Sequence, residues 1–364
     1  MQDGPKTSQK ARVLSRRALV LSGGGAKGAY EAGAITSLCA HGAPFDIIVG
    51  TSIGAINASF VAQNSVAALE TLWKTVAAQN LIQPLPMVAH AETFLDAFSQ
   101  WQKLPAEAKI GQIPRLVMLW MQMGSKTPLL SLLGAFDGAP IATLLNRFAD
   151  FDALRRTLIV TATNVSTRTP TAFFWFAPSL SSNLTAFRAA VGVPTEAISP
   201  ANYGDALQAS ASIPGAFNPM QMNLGGPPPL LFVDGGVSNN TPISLAIAAG
   251  ADEVTVILLE PASNPEPSPP PRNLVDVAYA CYDVMQQKIL EDDFKLAGFT
   301  NAMLAVATPS PAVQKRLAGK RIVGLECVRP QTALPITVLD FADQSKIDAA
   351  FAQGVAEGQH PQAF

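Results

Sequence analysis

An α/β fold built on a mainly parallel sheet is predicted by three features of the sequence. Two apolar runs near the N-terminus, residues 18–21 and 45–49, each lead into a glycine turn and then into a helix-compatible stretch. Further short β-runs at 158–165, 230–233 and 254–259 alternate with helical spacings. Of 364 residues, 48% are apolar and only 14% charged, which suffices for a large buried core.

The second strand-turn-helix unit organises the rest. Gly50-Thr51-Ser52-Ile53-Gly54 is a Gly-x-Ser-x-Gly turn between the 45–49 strand and a helix over 53–62. Gly50 and Gly54 remove side chains that would collide across a sharp bend, which holds the Ser52 hydroxyl out of the sheet. The N–H of Ile53 then stands at a helix N-terminus, where it faces a developing oxyanion. Ser52 is the candidate nucleophile.

The first unit ends in Ser22-Gly23-Gly24-Gly25-Ala26-Lys27-Gly28, with a helix expected over 29–40. Gly23, Gly25 and Gly28 satisfy Gly-x-Gly-x-x-Gly, and Asp46 lies 18 residues past Gly28. The loop therefore fits a dinucleotide pyrophosphate as well as an acyl-transfer oxyanion. A nucleotide site leaves the serine turn without a role, whereas a hydrolase uses both turns. Parallel strands place both at the carboxyl edge of the sheet.

Val66, Leu69, Leu72, Trp73 and Val76 recur at helical spacing. Residues 81–138 are loose, proline-punctuated and rich in methionine and aromatics (Met87, Phe94, Phe98, Trp101, Met118, Trp120, Met121, Met123). They read either as a helical subdomain with a Met-rich core or as a mobile cap whose apolar side meets lipid. Ile141, Leu144, Leu145 and Phe148 mark another helix, 171–176 a hairpin partner for 158–165, and 203–212 a helix stopped at Pro214. Six prolines between Pro261 and Pro271 favour an exposed loop, 261–273. The remainder of the chain holds a long amphipathic helix from Leu274, two short β-runs and a last helix, a set too thin for an independent core. Residues 18–364 are therefore taken as one domain, preceded by a disordered basic tail over 1–17.

The formal net charge of −2 gives no basic face for a nucleic acid. No stretch approaches the roughly 18–20 apolar residues of a membrane span. The apolar run behind the basic N-terminus is too short for a secretory signal. A cytoplasmic protein is expected, with peripheral attachment to an anionic membrane surface and export without an N-terminal signal left open. Cys39, Cys281 and Cys327 read as reduced core residues. No set of His, Cys, Asp and Glu has ligand spacing, so neither a metal nor a cofactor is expected.

A serine nucleophile needs a proton acceptor. The three histidines, His41, His90 and His360, do not stand at the ends of expected strands. Asp234 does: it ends the 230–233 run and is followed by Gly235 and Gly236, which let the backbone turn close to the other loops. An aspartate in this role must be partly desolvated, which Phe232 and Val233 favour. Asp-Gly-Gly is equally an ordinary turn.

With these residues assembled, the chain resembles the patatin-like phospholipases of bacterial type. The resemblance rests on the glycine loop Gly23 to Gly28, the serine elbow Gly50 to Gly54, the Asp234-Gly235-Gly236 turn, and two flanking blocks, 209–217 and 234–242. It implies a three-layer α/β/α fold and calcium-independent hydrolysis of lipid acyl esters by a Ser-Asp dyad. Ser52 would be the nucleophile, Asp234 the base, and Gly23, Gly24 and Gly25 the oxyanion hole. Lys27 falls where the family carries a basic residue, which orients the loop or meets a lipid phosphate. The implied partners are a phospholipid or lysophospholipid and, transiently, a membrane or micelle surface. An acyltransferase using the same intermediate, a nucleotide-binding protein and a silent lipid-binding module are the alternatives.

Overall fold

The structure is a computed structural model that describes residues 15–40, 45–85, 93, 96–97, 99–122, 134–262, 274–306, 310–317 and 320–363. Residues 1–14 of the expected tail, His41, His90, parts of the 81–138 segment including Met87, Phe94, Phe98 and Met123, and residues 263–273 of the proline-rich loop lie outside them.

Ten strands among the described residues form one sheet: β1 (Arg17–Leu21), β2 (Ile47–Thr51), β3 (Thr157–Asn164), β4 (Thr169–Trp175), β5 (Thr195–Ala197), β6 (Met220–Met222), β7 (Leu230–Asp234), β8 (Glu253–Ile257), β9 (Gly324–Val328) and β10 (Gln362–Ala363). The helices are α1 (Gly28–Ala40), α2 (Ile53–Ala62), α3 (Val66–Thr75), α4 (Ala106–Gln122), α5 (Ala139–Phe148), α6 (Leu184–Ala190), α7 (Tyr203–Ser210), α8 (Ile243–Ala248), α9 (Leu274–Leu304), α10 (Pro311–Leu317) and α11 (Gln344–Glu357).

Strands β9, β8, β1, β2 and β3 run parallel in that spatial order, and β4, β7 and β10 add antiparallel pairs. The centre is apolar on both faces, as a parallel sheet covered by helices requires. Leu19, Leu21, Ile48, Leu158 and Val160 point into one core with residues of α1, α2, α3, α7 and α11. The alternate residues Ala18, Val20, Ile47, Val49 and Ile159 point into a second core with α6, α8 and Phe294 of α9. The fold is thus a three-layer α/β/α sandwich with a mainly parallel centre.

Several elements extend beyond their sequence expectation. β2 runs through Gly50 to Thr51, because Gly50 still pairs with Leu21 and Thr51 with Thr161. β7 includes Asp234, which pairs with Ala162. Three motif residues, Gly50, Thr51 and Asp234, therefore belong to the sheet. α7 stops at Ser210, two residues early, as the chain turns through Ala211 to Ile213. The cysteines are not uniformly core: Cys327 is buried on β9, but Cys281 is exposed on α9. Its helical position faces outward because α9 contributes Phe294, not Cys281, to the core.

The 81–138 stretch contains α4, which carries exposed Ile113, Val117 and Met118. Among the described residues no helix is long and apolar enough to cross a membrane.

α11 packs directly along α1 through glycines. A Cβ at Gly354 would overlap the Tyr30 carbonyl, and one at Gly33 the Phe351 carbonyl. Gly298, in contrast, sits inside α9 with nothing within 4 Å of its Cβ position. Urea denaturation should therefore give opposite signs for the two replacements. Gly354→Ala should lose about 1–3 kcal/mol by overpacking against backbone, and Gly298→Ala should gain about 1 kcal/mol of helix propensity.

Candidate active site

Ser52 follows the last residue of β2 and caps α2 with φ 57° and ψ −128°. A positive φ is costly for a residue with a Cβ, and its occurrence at a strand-to-helix corner marks a serine held under strain. The chain closes around it: the Ser52 carbonyl accepts from the Ala55 N–H at 2.9 Å, and the Ser52 N–H donates to Ser210 Oγ at 2.8 Å. A Cβ at Gly50 would overlap the Gly54 carbonyl, and one at Gly54 would lie 2.7 Å from the Leu21 carbonyl. The bend is therefore open only to glycine at both positions.

The Ser52 hydroxyl donates to Asp234 Oδ2. The other oxygen, Oδ1, accepts from the Gly236 N–H at 2.7 Å, and the Asp234 N–H donates to the Ser212 carbonyl at 2.8 Å. Ser52 and Asp234 are nearly sealed from solvent, 3% and 0% exposed. Gly235 has no room for a side chain, since a Cβ would overlap the Thr161 carbonyl. Around the pair lies a set of neutral hydroxyls: Thr51 with Thr161 at 2.6 Å, Thr163 with Ser238 at 2.8 Å, and Ser22 with Thr241 at 3.0 Å.

The glycine loop lies against the serine, because a Cβ on Gly23 would fall 2.9 Å from that of Ser52. Of the three glycines expected to donate to an oxyanion, Gly23 is already engaged. Its N–H donates to Asn240 Oδ1 at 3.0 Å, while the N–H groups of Gly24 and Gly25 have no hydrogen-bond partner among the described residues. Gly25 adopts φ 57°, and its Cβ position is filled by the Val338 carbonyl. Lys27 forms an ion pair with Glu260 and is only 14% exposed along its side chain.

Asp46, the residue that completes the dinucleotide pattern, sits at the other edge of the sheet. Its Oδ2 accepts from the Arg17 N–H at 3.1 Å, where β1 begins, a whole strand away from the glycine loop where β1 ends. His360 is exposed next to β10.

Ser52 and Gly25 also line an apolar cavity walled by Ile53, Ile56, Leu72, Trp73, Leu144 and Phe341. One wall comes from a C-terminal strap, residues 336–343. Its Val338 carbonyl accepts from the Ala26 N–H at 2.9 Å, and Phe341 stacks on Trp73 with ring centroids 6.3 Å apart. Asp340 holds the strap's turn by accepting from the Thr337 N–H at 2.9 Å and from Lys346 at 3.1 Å. Sequence reasoning did not assign Ser210, Asn240, Val338 or Glu260. The first two lie within the family-like blocks and were readable as polar positions at loop ends, whereas nothing local marks a backbone carbonyl at 338.

The family model described as patatin-like phospholipase matches residues 19–247. Short stretches are similar to Lysophospholipase NTE1 of Candida albicans, 59% identical over 46 residues, and of Scheffersomyces stipitis, 52% over 48. These cover 12% and 13% of this chain and 3% of each relative's length. Among solved structures, VipD from Legionella pneumophila aligns over 96% of this chain and 68% of its own, at 15% identity and TM-score 0.40. The type III effector ExoU aligns over 95% and 53%, at 13% identity and TM-score 0.34.

The strap lies beyond the matched residues and has its own test. Burial alone would raise the Asp340 carboxyl, but the Thr337 N–H and hydroxyl and the Lys346 ammonium hold it below the usual carboxylate range. A lowered value stabilises the fold above the unfolded value of 3.8, and that contribution is lost as pH falls through the folded value. Asp340→Asn should lower the thermal midpoint at neutral pH, and its gap to wild type should close below pH 3.8. A gap independent of pH would show that Asp340 acts without its charge.

Proposed function

This chain belongs to the patatin-like phospholipase family, and from that premise we propose that it hydrolyses lipid acyl esters, of phospholipid or lysophospholipid, through an acyl-Ser52 intermediate. The observation that carries the reading is the Ser52 hydroxyl donating to a fully buried Asp234 at the edge of an apolar cavity.

On this reading the acyl chain enters the cavity and presents its ester carbonyl to Ser52. As Ser52 Oγ bonds to the carbonyl carbon, its proton passes to Asp234 Oδ2. The carbonyl π electrons move to oxygen, and that oxyanion accepts from the free N–H groups of Gly24 and Gly25 and from Ile53 at the start of α2. Collapse expels the alcohol, which takes the proton from Asp234. Water then attacks the acyl-serine by the same steps in reverse order, and the fatty acid leaves. Gly236 keeps Asp234 oriented throughout, the part an imidazole's partner plays in a triad. Gly23 and Asn240 act as supports that hold the loop against Ser52. No step calls for calcium.

The place of Asp46 tells against a dinucleotide at the glycine loop. Exposed Ile113 and Val117, one turn apart on α4, together with Met118, support transient contact with a membrane or micelle surface.

A fluorophosphonate probe should label the wild type and fail on Ser52→Ala. Asp234→Asn keeps the contact to Gly236 while removing the acceptor of the serine proton, so kcat on a lysophospholipid should fall by about 10⁴ or more, the upper end of general-base assistance. Joint replacement of His41, His90 and His360 should cost far less, and chelator should leave the rate alone. A histidine variant as inactive as Asp234→Asn would replace the dyad with a triad. Products formed with an acceptor alcohol present would reveal transferase activity.

A further inference from the structure

Next to the cavity, which Asn57 helps to line, lies a buried polar joint to which the mechanism gives no part. Glu31, three residues into α1 past Gly28, and Asn57, five residues past Ser52 on α2, are both 0% exposed. The Asn57 amide nitrogen donates to Glu31 Oε2 at 2.7 Å and to the Gly28 carbonyl at 3.1 Å. Its Oδ1 accepts from Trp73 Nε1 on α3 at 3.0 Å. Both amide hydrogens and the carbonyl oxygen are thus used. One side chain joins the helix that leaves the glycine loop, the helix that leaves the serine elbow, and the helix that walls the cavity.

These two loops must hold a fixed separation for the chemistry proposed above. Oxyanion donors act only within a narrow range of the developing charge, and a misplacement of 1 Å costs about 10² in rate. Ser22, Lys27 and Thr51 brace the ends of the two loops, but the glycines between have no side chains to hold them. A buried amide that has made its hydrogen bonds resists displacement, because a broken bond finds no water to replace it. We propose that Asn57 and Glu31 are positioning residues that hold the glycine loop at its working distance from Ser52. The inference rests on the hydrolase reading, although the joint exists in the structure whatever the reaction.

Burial pushes the Glu31 carboxyl up to about 8, against the opposing pull of the Asn57 amide and the Ser22 N–H. Among the described residues no cation faces it. α2 carries no titratable side chain, and on α3 Lys74 pairs with Glu70. On α11 Lys346 pairs with Asp340, Asp348 meets Gln344 and Glu357 meets Tyr30. Lys27 pairs with Glu260, and Cys39 on α1 has Arg156 as its charged neighbour. Glu31 is therefore neutral at pH 7. With its folded value above the ordinary 4.5, its contribution to stability is complete below 4.5 and is lost as pH rises toward about 8. Ionisation above that leaves an unpaired charge at the joint, so kcat should fall on an alkaline limb.

The test uses Asn57→Ala and the near-isosteric Glu31→Gln, the latter covering the case in which the former fails to fold. Hydrogen exchange read by mass spectrometry should rise about tenfold, the size of one lost buried hydrogen bond, in peptides over 22–28 and 50–57 of Asn57→Ala, and not in those over β1 or β8. Hydrolysis of a micellar lysophospholipid should lose about 10² in kcat with KM unchanged. Glu31→Gln should flatten the ratio of kcat at pH 9 to that at pH 6 and show no loss of stability between those values. Unchanged exchange in both loop peptides, an equal rise across the sheet, or an alkaline limb that persists in Glu31→Gln would overturn the proposal. A wild type that neither hydrolyses the lipid nor takes a fluorophosphonate overturns the hydrolase reading alone, and the exchange result still decides the joint.

Discussion

Strand β3 carries two partners end to end on one edge. Its first half pairs with parallel β2, which ends at Thr51 opposite Thr161, and its last residues pair with antiparallel β7, which ends at Asp234 opposite Ala162. The other edge is fully occupied by β4. Because β2 and β7 run toward each other along the same template, their carboxyl ends meet at consecutive residues of β3. A hydrogen-bonded ladder has a fixed register, so the separation of Ser52 and Asp234 is set by backbone geometry and needs no loop to adjust it. A slip of one residue in either pairing would turn one of the two side chains to the opposite face.

The remainder of the site arranges itself around that junction. Where two strand ends and a glycine loop converge, side chains have no room, and Gly23, Gly50, Gly54 and Gly235 are each placed where a Cβ would meet another part of the junction. Their absence lets polar backbone approach polar backbone. The hydroxyls that fill the gaps, Thr51, Thr161, Thr163, Ser210 and Ser238, are neutral and hydrogen-bonded. Ion pairs gather at the amino edge, where Arg16 and Arg321 meet Asp252 and Arg17 meets Glu253 and Glu326, while at the carboxyl edge Lys27 pairs with Glu260.

The site also depends on parts of the chain far apart in sequence. The strap at Val338 closes the glycine loop from below, and α11 holds α1 in place through contact at Gly33 and Gly354. The last quarter of the chain, outside the family match, is thus part of the scaffold that fixes the loop.

Ser52, the glycine loop, the Asp234 turn and the parallel α/β class were legible in the sequence because each is local. A strand, a glycine bend and a helix start leave their signature within a dozen neighbouring residues. The full use of Gly23 by Asn240, the pairing of Lys27 with Glu260, the clamp from Val338 and the Glu31–Asn57–Trp73 joint were decided only by tertiary structure. Asn57 reads in isolation as one more polar residue in a helix, and Val338 acts through a carbonyl that every residue possesses. Which partner a buried donor finds is set by helix and strand packing across about 300 residues of chain, as between Ala26 and Val338, and no local pattern encodes that choice.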